Sequence, residues 1–411
     1  MTGCPSPKHP TAPAGSLTLE IGGPIRGVAG DGVVAYAATG TAERTTLSAY
    51  RGNRPAWSAT LAGNGGPLAR TRSLVVAALA GHDKIADVAV RGAPAAVLAA
   101  FDGGSGAPRW KLPIDSSEWS VVTALAVAGD DVVVGGSFAG TLRAGGRVVS
   151  SAGKSDGFIA HVTAAGQVAW LLRTGGPGAD AVQGIAVAGD RIAITGTFTA
   201  GAELLGVPFN AIDERAPFTD VFVAELDSGK AQLEWAVSFG GRLPDSVAGI
   251  AIDGKGRIAV AATVRDAVKI AGAELAVHGS SDGIVVFFSK DGQPGTKLVL
   301  GGFEFDGTSA IAAAGDQIVV GGFYAGQLQL GERALRADGG DDAYLVALDG
   351  GRITHVWPVA GPGREDITAI ASVPGGFVAG VGHTAGVQID GQPLASPKDP
   401  MSGGGLVIRA P

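Results

Sequence analysis

The sequence predicts an all-β fold, a seven-bladed β-propeller made of four-stranded antiparallel blades. Three observations predict it: a glycine-rich composition with few charged residues, an internal repeat of about 60 residues, and chain ends that supply complementary parts of one repeat. A propeller leaves only short and protected sheet edges, so it suits a long chain made of many short strands.

The composition favours short strands joined by tight turns. Of 411 residues, 68 are glycine and 46% are apolar, whereas 17% are charged and 6% are aromatic. Glycine suits turns and places where two backbones approach closely. The apolar set is rich in alanine and valine, and valine is typical of strands. Glycine follows no three-residue period, which excludes a collagen-like chain.

Charge and hydropathy exclude two classes of function. The formal net charge is −7, and lysine and arginine are scattered singly, so no basic patch predicts a nucleic-acid partner. No apolar run reaches the roughly 18 residues that a membrane-spanning helix needs. We expect a monomer that needs no cofactor and touches a membrane only through a lipid anchor.

The first residues predict such an anchor. We divide the chain into a Pro-rich tail over residues 1–15 and a propeller over residues 16–411. Cys4 is the only cysteine, so no intrachain disulfide forms. Thr2-Gly3-Cys4 resembles the end of a bacterial lipobox, and the Pro-rich spacer after it acts as a semi-rigid arm. This predicts lipidation of Cys4 and an extracytoplasmic protein, either an outer-membrane or cell-surface lipoprotein or a secreted protein. The alternative is a cysteine without function in a disordered tail.

The repeat is marked by a tryptophan at the start of a short apolar strand. The six members of the series begin at Trp57, Trp110, Trp170, Trp235, Thr296 and Trp357, where Thr296 replaces the aromatic residue. The successive spacings are therefore 53, 60, 65, 61 and 61 residues. A period near 60 accommodates four strands with their loops. We assign the tryptophans to packing between neighbouring blades.

Two further patterns recur in phase with the tryptophans. Pairs of apolar runs around a Gly-Asp or Asp-Gly turn predict a hairpin, as in residues 184–196 and 310–322. A third strand then begins at Asp156, Asp220, Asp282 and Asp342. Hairpins and third strands each number seven, whereas six strands belong to the tryptophan series. Residues 17–23 match the pattern of the missing outer strand, so we expect them to pair with residues 405–409 and close the ring.

The repeat resembles the bacterial SBBP-type β-propeller repeat. The match lies in Phe239-Gly-Gly241, Asp245 to Asp253, Gly279 to Phe287 and Gly301-Gly-Phe303. A second resemblance, to PQQ-type propeller repeats, rests on Ala100 to Trp110. Both resemblances imply a propeller, and neither implies a particular activity, because such repeat motifs are structural.

Candidate binding residues lie in the loops between blades. Trp119, next to Glu118, is the aromatic residue outside the repeat pattern, and it is either a sugar-stacking residue or a plug between blades. Acidic residues recur in the equivalent loops, and two of these loops carry arginine instead. The candidates for binding a ligand or partner are Glu118, Trp119, Asp180, Asp245, Asp306, Asp366, Arg26 and Arg70. Asp residues in turns commonly cap backbone N–H groups instead, and whether the channel binds a cation stays open.

The sequence carries no catalytic motif. The six histidines have no metal-ligand spacing, and no P-loop or Gly-x-Ser-x-Gly elbow is present. We therefore expect a non-enzymatic binding or scaffold propeller that holds a protein or glycan partner with one loop face. One alternative is a carbohydrate-active hydrolase or lyase with paired carboxylates at the channel mouth. Another is a scaffold for outer-membrane assembly.

Overall fold

The chain forms β-strands joined by turns. The computed structural model describes residues 17–21, 23–82, 84–90, 94–212, 218–393 and 404–410, of which 17–20, 84 and 404–410 are described by their backbone alone. The described ranges contain no helix. Their strands in chain order are β1 (Leu17–Glu20), β2 (Ile25–Gly30), β3 (Val34–Gly40), β4 (Arg44–Arg51), β5 (Arg54–Ala62), β6 (Asn64–Arg70), β7 (Leu74–Gly81), β8 (Lys84–Ile85), β9 (Val88–Ala89), β10 (Ala95–Asp102), β11 (Pro108–Ser116), β12 (Trp119–Ala128), β13 (Asp131–Ala139), β14 (Thr141–Ala144), β15 (Arg147–Ser150), β16 (Asp156–Val162), β17 (Val168–Gly175), β18 (Ala181–Ala188), β19 (Arg191–Phe198), β20 (Glu203–Leu204), β21 (Val207–Pro208), β22 (Asp220–Asp227), β23 (Gln232–Gly240), β24 (Ser246–Ile252), β25 (Ile258–Val264), β26 (Val268–Ile270), β27 (Ala273–Leu275), β28 (Asp282–Phe288), β29 (Pro294–Gly302), β30 (Asp306–Ala314), β31 (Gln317–Tyr324), β32 (Gln327–Leu330), β33 (Arg333–Arg336), β34 (Asp342–Asp349), β35 (Arg352–Ala360), β36 (Asp366–Val373), β37 (Gly376–His383), β38 (Gln388–Ile389), β39 (Gln392–Pro393) and β40 (Gly404–Ala410).

The strands pair antiparallel into sheets of unequal size. Among the described residues there are five six-stranded sheets, two four-stranded sheets and one two-stranded hairpin, β8-β9. From the inner strand outward, the large sheets are β2-β3-β4-β5, β6-β7-β10-β11-β14-β15, β12-β13-β16-β17-β20-β21, β18-β19-β22-β23-β26-β27, β24-β25-β28-β29-β32-β33, β30-β31-β34-β35-β38-β39 and β36-β37-β40-β1. Each inner strand contacts the inner strand of the next sheet, and β36 contacts β2, so the sheets surround a central channel.

The predicted architecture, a seven-bladed propeller of four-stranded blades, is wrong, because most of the sheets have six strands. The two extra strands come from a hairpin in the connection between the second and third strands of the following sheet. That hairpin crosses back and pairs with the fourth strand of the preceding sheet, as β14 does with β11 and β20 with β17. From the sequence, these connections were expected to be loops.

Short-range turn chemistry explains the extra hairpins. In four of the five extra hairpins of the described sheets the two central residues both have positive φ, as at Gly145-Gly146, Ala271-Gly272 and Asp390-Gly391. This is the geometry of a type I′ turn, whose twist matches that of the flanking strands. Each hairpin reaches only two or three residue pairs along its neighbour, for example Phe239↔Ile270 and Gly240↔Lys269. The hairpins therefore fasten neighbouring sheets together at their outer rim.

The two chain ends meet in one sheet. Strand β1 pairs antiparallel with β40, with Leu17 opposite Arg409 and Glu20 opposite Leu406. The pairing of chain ends that the sequence predicts is therefore present, and it gives the last sheet its fourth strand.

Four tryptophans of the repeat each connect their own sheet to the next one. The indole N–H groups of Trp57, Trp110 and Trp235 donate to the carbonyl oxygens of Gly103, Ala164 and Lys290, at distances of 3.0, 2.9 and 2.9 Å. Each acceptor lies in the turn between the third and fourth strands of the following sheet. Trp170 makes the equivalent bond to Ser228, at 3.3 Å.

A glycine in the same turn makes room for the indole ring. A Cβ atom on Gly292 would lie 2.6 Å from the Trp235 ring, and the residue has a φ of +75°. We therefore expect Gly292→Ala to lower the free energy of unfolding by about 2–4 kcal/mol, through backbone strain and displacement of the indole. Urea unfolding followed by tryptophan fluorescence measures this change.

Gly272→Ala is the matched control for this substitution. Gly272 has a φ of +79° and no atom within 4 Å of an added Cβ. It should cost only the strain of the backbone, about 1 kcal/mol. Equal losses in the two variants would show that the docked indole contributes nothing at this contact.

Candidate functional site

The loops that lead into the inner strands lie on one face of the disk. We call it the loop face; it also carries the connections between second and third strands. The inter-sheet loops of this face include residues 176–180, 241–245 and 303–305; Asp180 and Asp245 end the first two loops, and Asp306 directly follows the third.

Three of the predicted acidic residues close their own loops. Asp180 accepts hydrogen bonds from the backbone N–H groups of Gly176 and Thr199, both at 2.7 Å. Asp245 and Asp306 accept the same bond from the residue four positions earlier, Gly241 at 3.0 Å and Gly302 at 2.6 Å. All three acids are buried. Their carboxylates are turned into their loops, which counts against a hydrolase that uses them at the channel mouth.

A second buried acid faces each of these loop acids. It is the first residue of a third strand, and the pairs are Asp156 with Asp180, Asp220 with Asp245, Asp282 with Asp306, and Asp342 with Glu365. A glycine at the end of the fourth strand lets the two groups approach. A Cβ atom on Gly175 would lie 2.8 Å from the Asp156 Cγ and 2.9 Å from the Asp180 Oδ2. Both the loop acids and the acids that begin the third strands were recognised in the sequence, but their pairing was not predicted.

Burial favours the protonated forms of Asp245, Asp306 and Glu365. Desolvation is the main cause that raises the pKa of Asp245 to about 8, and the negative charges of Asp220 and Asp266 add to it. Desolvation likewise raises the pKa of Asp306 to about 6 and that of Glu365 to about 7. The Asp156 carboxylate forms an ion pair with Arg173.

The repeat places Glu365, and not Asp366, in line with the other loop acids. Glu365 is buried and accepts a hydrogen bond from the Thr384 hydroxyl at 3.1 Å. Asp366 begins β36, where its carboxylate accepts a hydrogen bond from the Gly382 backbone. Desolvation raises the pKa of Asp366, and the positive charges of Arg364 and Arg26 oppose the rise.

In the loop before β12, too, the residue that aligns with the loop acids is not the predicted one. The position of the loop acids is taken here by Ser120, whose hydroxyl donates to the Ile114 carbonyl oxygen at 2.6 Å. Glu118 is exposed, and Trp119 is partly exposed at the start of β12, opposite Ala139. Both residues therefore lie on the loop face beside the channel.

The two arginines of the predicted site lie at opposite ends of the channel. Arg26 is exposed in β2, near the loop face. Arg70 ends β6 at the other face, where it forms an ion pair with Asp31 at 3.2 Å and donates to the Tyr36 hydroxyl at 3.1 Å. The interpretation of Arg70 as a residue of an inter-blade loop is wrong, because β6 starts at Asn64 and ends at this residue.

Apolar side chains stand exposed on two neighbouring loops of the loop face. Phe303 is 84% exposed, Phe305 43% and Leu243 42%. Phe218, 42% exposed, precedes the third strand of the β18 sheet, next to the Leu243 loop. We call these four residues the apolar patch. In the sequence, Phe303 was noted only as part of the repeat motif Gly301-Gly-Phe303, and the other three residues were not predicted as site residues.

The described residues show neither a metal-binding cluster nor a membrane-spanning helix. No group of three or more His, Cys, Asp or Glu residues in the described ranges is arranged to hold a metal ion. Within the same ranges, no helical segment has the length and hydropathy needed to span a bilayer. Cys4 lies outside the described residues, so its predicted lipidation stays a prediction.

Comparison with known proteins shows the fold and no closer relationship. No protein-family model and no curated protein matches the sequence. Among solved structures, hydrazine synthase of Kuenenia stuttgartiensis is similar at 11% identity and a TM-score of 0.54, over 94% of this chain and 98% of that one. The Dos1 propeller (8% identity, TM-score 0.48) covers 96% of this chain and 94% of its own. Quinohemoprotein alcohol dehydrogenase of Comamonas testosteroni (12% identity, TM-score 0.44) covers 96% and 76%. The chain is a β-propeller of undetermined family.

The buried acid pairs predict that stability falls as pH rises. Asp245 has a pKa of about 8 in the folded chain and near 3.8 when unfolded, so the folded state binds more protons between these values. The contribution of Asp245 to the free energy of unfolding is complete below pH 3.8 and is lost as pH rises through 8. We expect the free energy of unfolding to be lower at pH 8.5 than at pH 5.5 by on the order of 2 kcal/mol, measured by urea unfolding.

Asp245→Asn should reduce this pH dependence, because the amide stays neutral throughout. Asp130→Asn, in an exposed turn, is the control and should leave the dependence as in the natural chain. A stability that rises with pH, or an Asp245→Asn variant with an unchanged slope, would contradict the assignment.

Proposed function

We propose that this propeller is a non-enzymatic binding module that docks a protein partner on its loop face. The observation that carries the proposal is the apolar patch, above all Phe303, which is 84% exposed. Aromatic side chains are enriched at the centres of protein interfaces, and exposed apolar patches mark interaction sites.

The loop that carries Phe303 is held firmly on both sides. The carbonyl oxygen of Glu304 accepts a hydrogen bond from the Ser280 N–H at 2.8 Å, and that of Phe305 from the Ala325 N–H at 3.2 Å. The buried carboxylate of Asp306 closes the loop from below. A partner that binds Phe303 therefore does not have to order the loop first, which lowers the entropic cost of binding.

The Leu243 loop is held in the same way. The backbone N–H groups of Arg242 and Leu243 donate to the Asp266 carboxylate, at 2.9 and 3.4 Å for their closest oxygens. The Asp245 N–H donates to the Thr219 carbonyl oxygen at 3.0 Å, next to Phe218. The fixed backbone presents the apolar side chains to solvent instead of letting them fold back onto the disk.

The direction of the first strand fits an anchored protein. We infer that the chain is an extracytoplasmic lipoprotein tethered through Cys4, and that it is a distant SBBP-type propeller. Strand β1 starts at the face opposite the loop face, because its last residue, Glu20, lies towards the loop face. A tether on this side would leave the loop face free for a partner.

A capture experiment tests the docking of a protein. The full chain, produced without lipidation, is biotinylated with a maleimide reagent at Cys4, its only cysteine, and used to recover proteins from a native envelope extract. We expect Phe303→Ser and Leu243→Ser each to reduce the recovery of the partner by at least about tenfold, because truncation of an interface anchor commonly costs 2 kcal/mol or more. Quantitative mass spectrometry measures the recovery.

Val148→Ser is the matched control. Val148 is 50% exposed on the outer hairpin β14-β15, which pairs with β11 in a sheet that does not adjoin the Phe303 and Leu243 loops, and this variant should recover the partner as the natural chain does. Melting temperatures should stay similar in all variants, because exposed substitutions change stability little. If no recovered protein depends on Phe303 or Leu243, the proposal is wrong.

A further inference from the structure

Two neighbouring loops of the loop face each carry an apolar side chain beside a charged one. The loop before β24 presents Arg242 and Leu243, and the loop before β30 presents Phe303 and Glu304; all four residues are exposed. Strands β24 and β30 contact each other in the ring, so the two loops are neighbours. Each loop therefore combines an apolar residue with an adjacent charge.

The charges of the two loops have opposite sign. Arg242 lies near a second exposed cation, Arg265, because the Arg242 N–H donates to the carboxylate of Asp266, the residue after Arg265. Glu304 supplies the negative charge beside Phe303. Neither the Arg242 nor the Glu304 side chain forms an ion pair within the part of the chain that the structure describes. The apolar patch is therefore basic at its Leu243 side and acidic at its Phe303 side.

A patch with this polarity is complementary to itself. A two-fold rotation places the Leu243 loop of one copy against the Phe303 loop of another, and the same contact then occurs twice. In each contact Phe303 meets Leu243, and Glu304 meets Arg242. Stacking the two Phe303 loops on each other would instead bring Glu304 against Glu304, and repulsion between like charges opposes that arrangement.

The apolar and the charged residues would have different roles in such a contact. Phe303 is 84% exposed and offers the largest apolar side chain for burial, so it supplies most of the affinity. Ion pairs at an exposed rim add little affinity, but they disfavour wrong orientations and fix the register of the two partners. Arg242 and Glu304 would thus select one arrangement of the two copies.

We propose that the partner of the loop face is a second copy of this chain, docked about a two-fold axis through the apolar patch. The inference rests on the proposed function, because it names the protein that docks on the patch. It departs from the monomer that the sequence predicts.

Sedimentation velocity of the full chain tests the proposal at concentrations from about 1 to 300 µM. The chain is produced without lipidation and kept reduced, so that Cys4 does not link two copies. We expect a reversible dimer with a dissociation constant on the order of 10 µM. Phe303→Ser and Leu243→Ser should each weaken it by at least about tenfold, because each substitution occurs twice in the dimer.

Charge reversal tests the arrangement of the two copies. Arg242→Glu and Glu304→Arg each place like charges in both contacts, and each variant alone should dimerise at least about tenfold more weakly. An equimolar mixture of the two variants should form a heterodimer, because both of its contacts then join opposite charges. Arg54→Glu is the matched control: Arg54 is exposed at the start of β5, on the opposite face, and this variant should dimerise as the natural chain does.

Three outcomes would overturn the proposal. They are a chain that stays monomeric at the highest concentration, a dimer that is insensitive to both charge reversals, and a mixture of the two variants that associates no better than either one alone. A chain that stays monomeric but still recovers a different protein through Phe303 would remove this inference and leave the proposed function intact.

Discussion

The packing of each sheet on the next is the interaction on which the rest of the structure depends. A sheet with two apolar faces is stable only between neighbours, and here the largely aliphatic faces of adjacent sheets form continuous clusters, such as the one that joins Val76 and Val134. The indoles add a directed contact: Trp57 and Trp235 each donate to a carbonyl oxygen in a turn of the following sheet. Because every sheet is held on both sides, the inner strands keep the same level around the channel.

Because the inner strands lie at the same level, their β-bulges come together around the channel. A single β-bulge only re-aims one side chain, but bulges at the same height in all the inner strands create a ring that faces the channel. The loops above the bulges differ in sequence. They share only a buried acid that accepts a hydrogen bond from the backbone N–H four residues earlier, as Asp180, Asp245 and Asp306 do. The rigid frame therefore leaves the loop face free to vary, as at Phe303.

The sequence was sufficient for the features that depend on local patterns. The tryptophan period, the apolar hairpins and the pairing of residues 17–20 with residues 406–409 could all be predicted. The outer hairpins were missed because strands of two to four residues carry too few residues to show an alternating pattern, although Ala271-Gly272 and similar turns were a usable signal. Glu118 and Asp366 were predicted in place of Ser120 and Glu365. The residue that aligns between repeats is set by the β-bulge of the inner strand, and the amino-acid sequence alone does not show where that bulge lies.

The acid pairs differ from three polar residues of the inner strands, Gln183, Ser309 and Thr368, in how they tolerate burial. In both places the fold buries polar oxygen atoms for which it supplies too few partners. A carboxyl group resolves this by taking up a proton, as the raised pKa of Asp245 indicates, so the acid pairs need no ligand and belong to the frame. The hydroxyl and amide groups of Ser309, Thr368 and Gln183 do not ionise near neutral pH and have no such route. Their oxygen atoms therefore stay buried without a partner in the described structure.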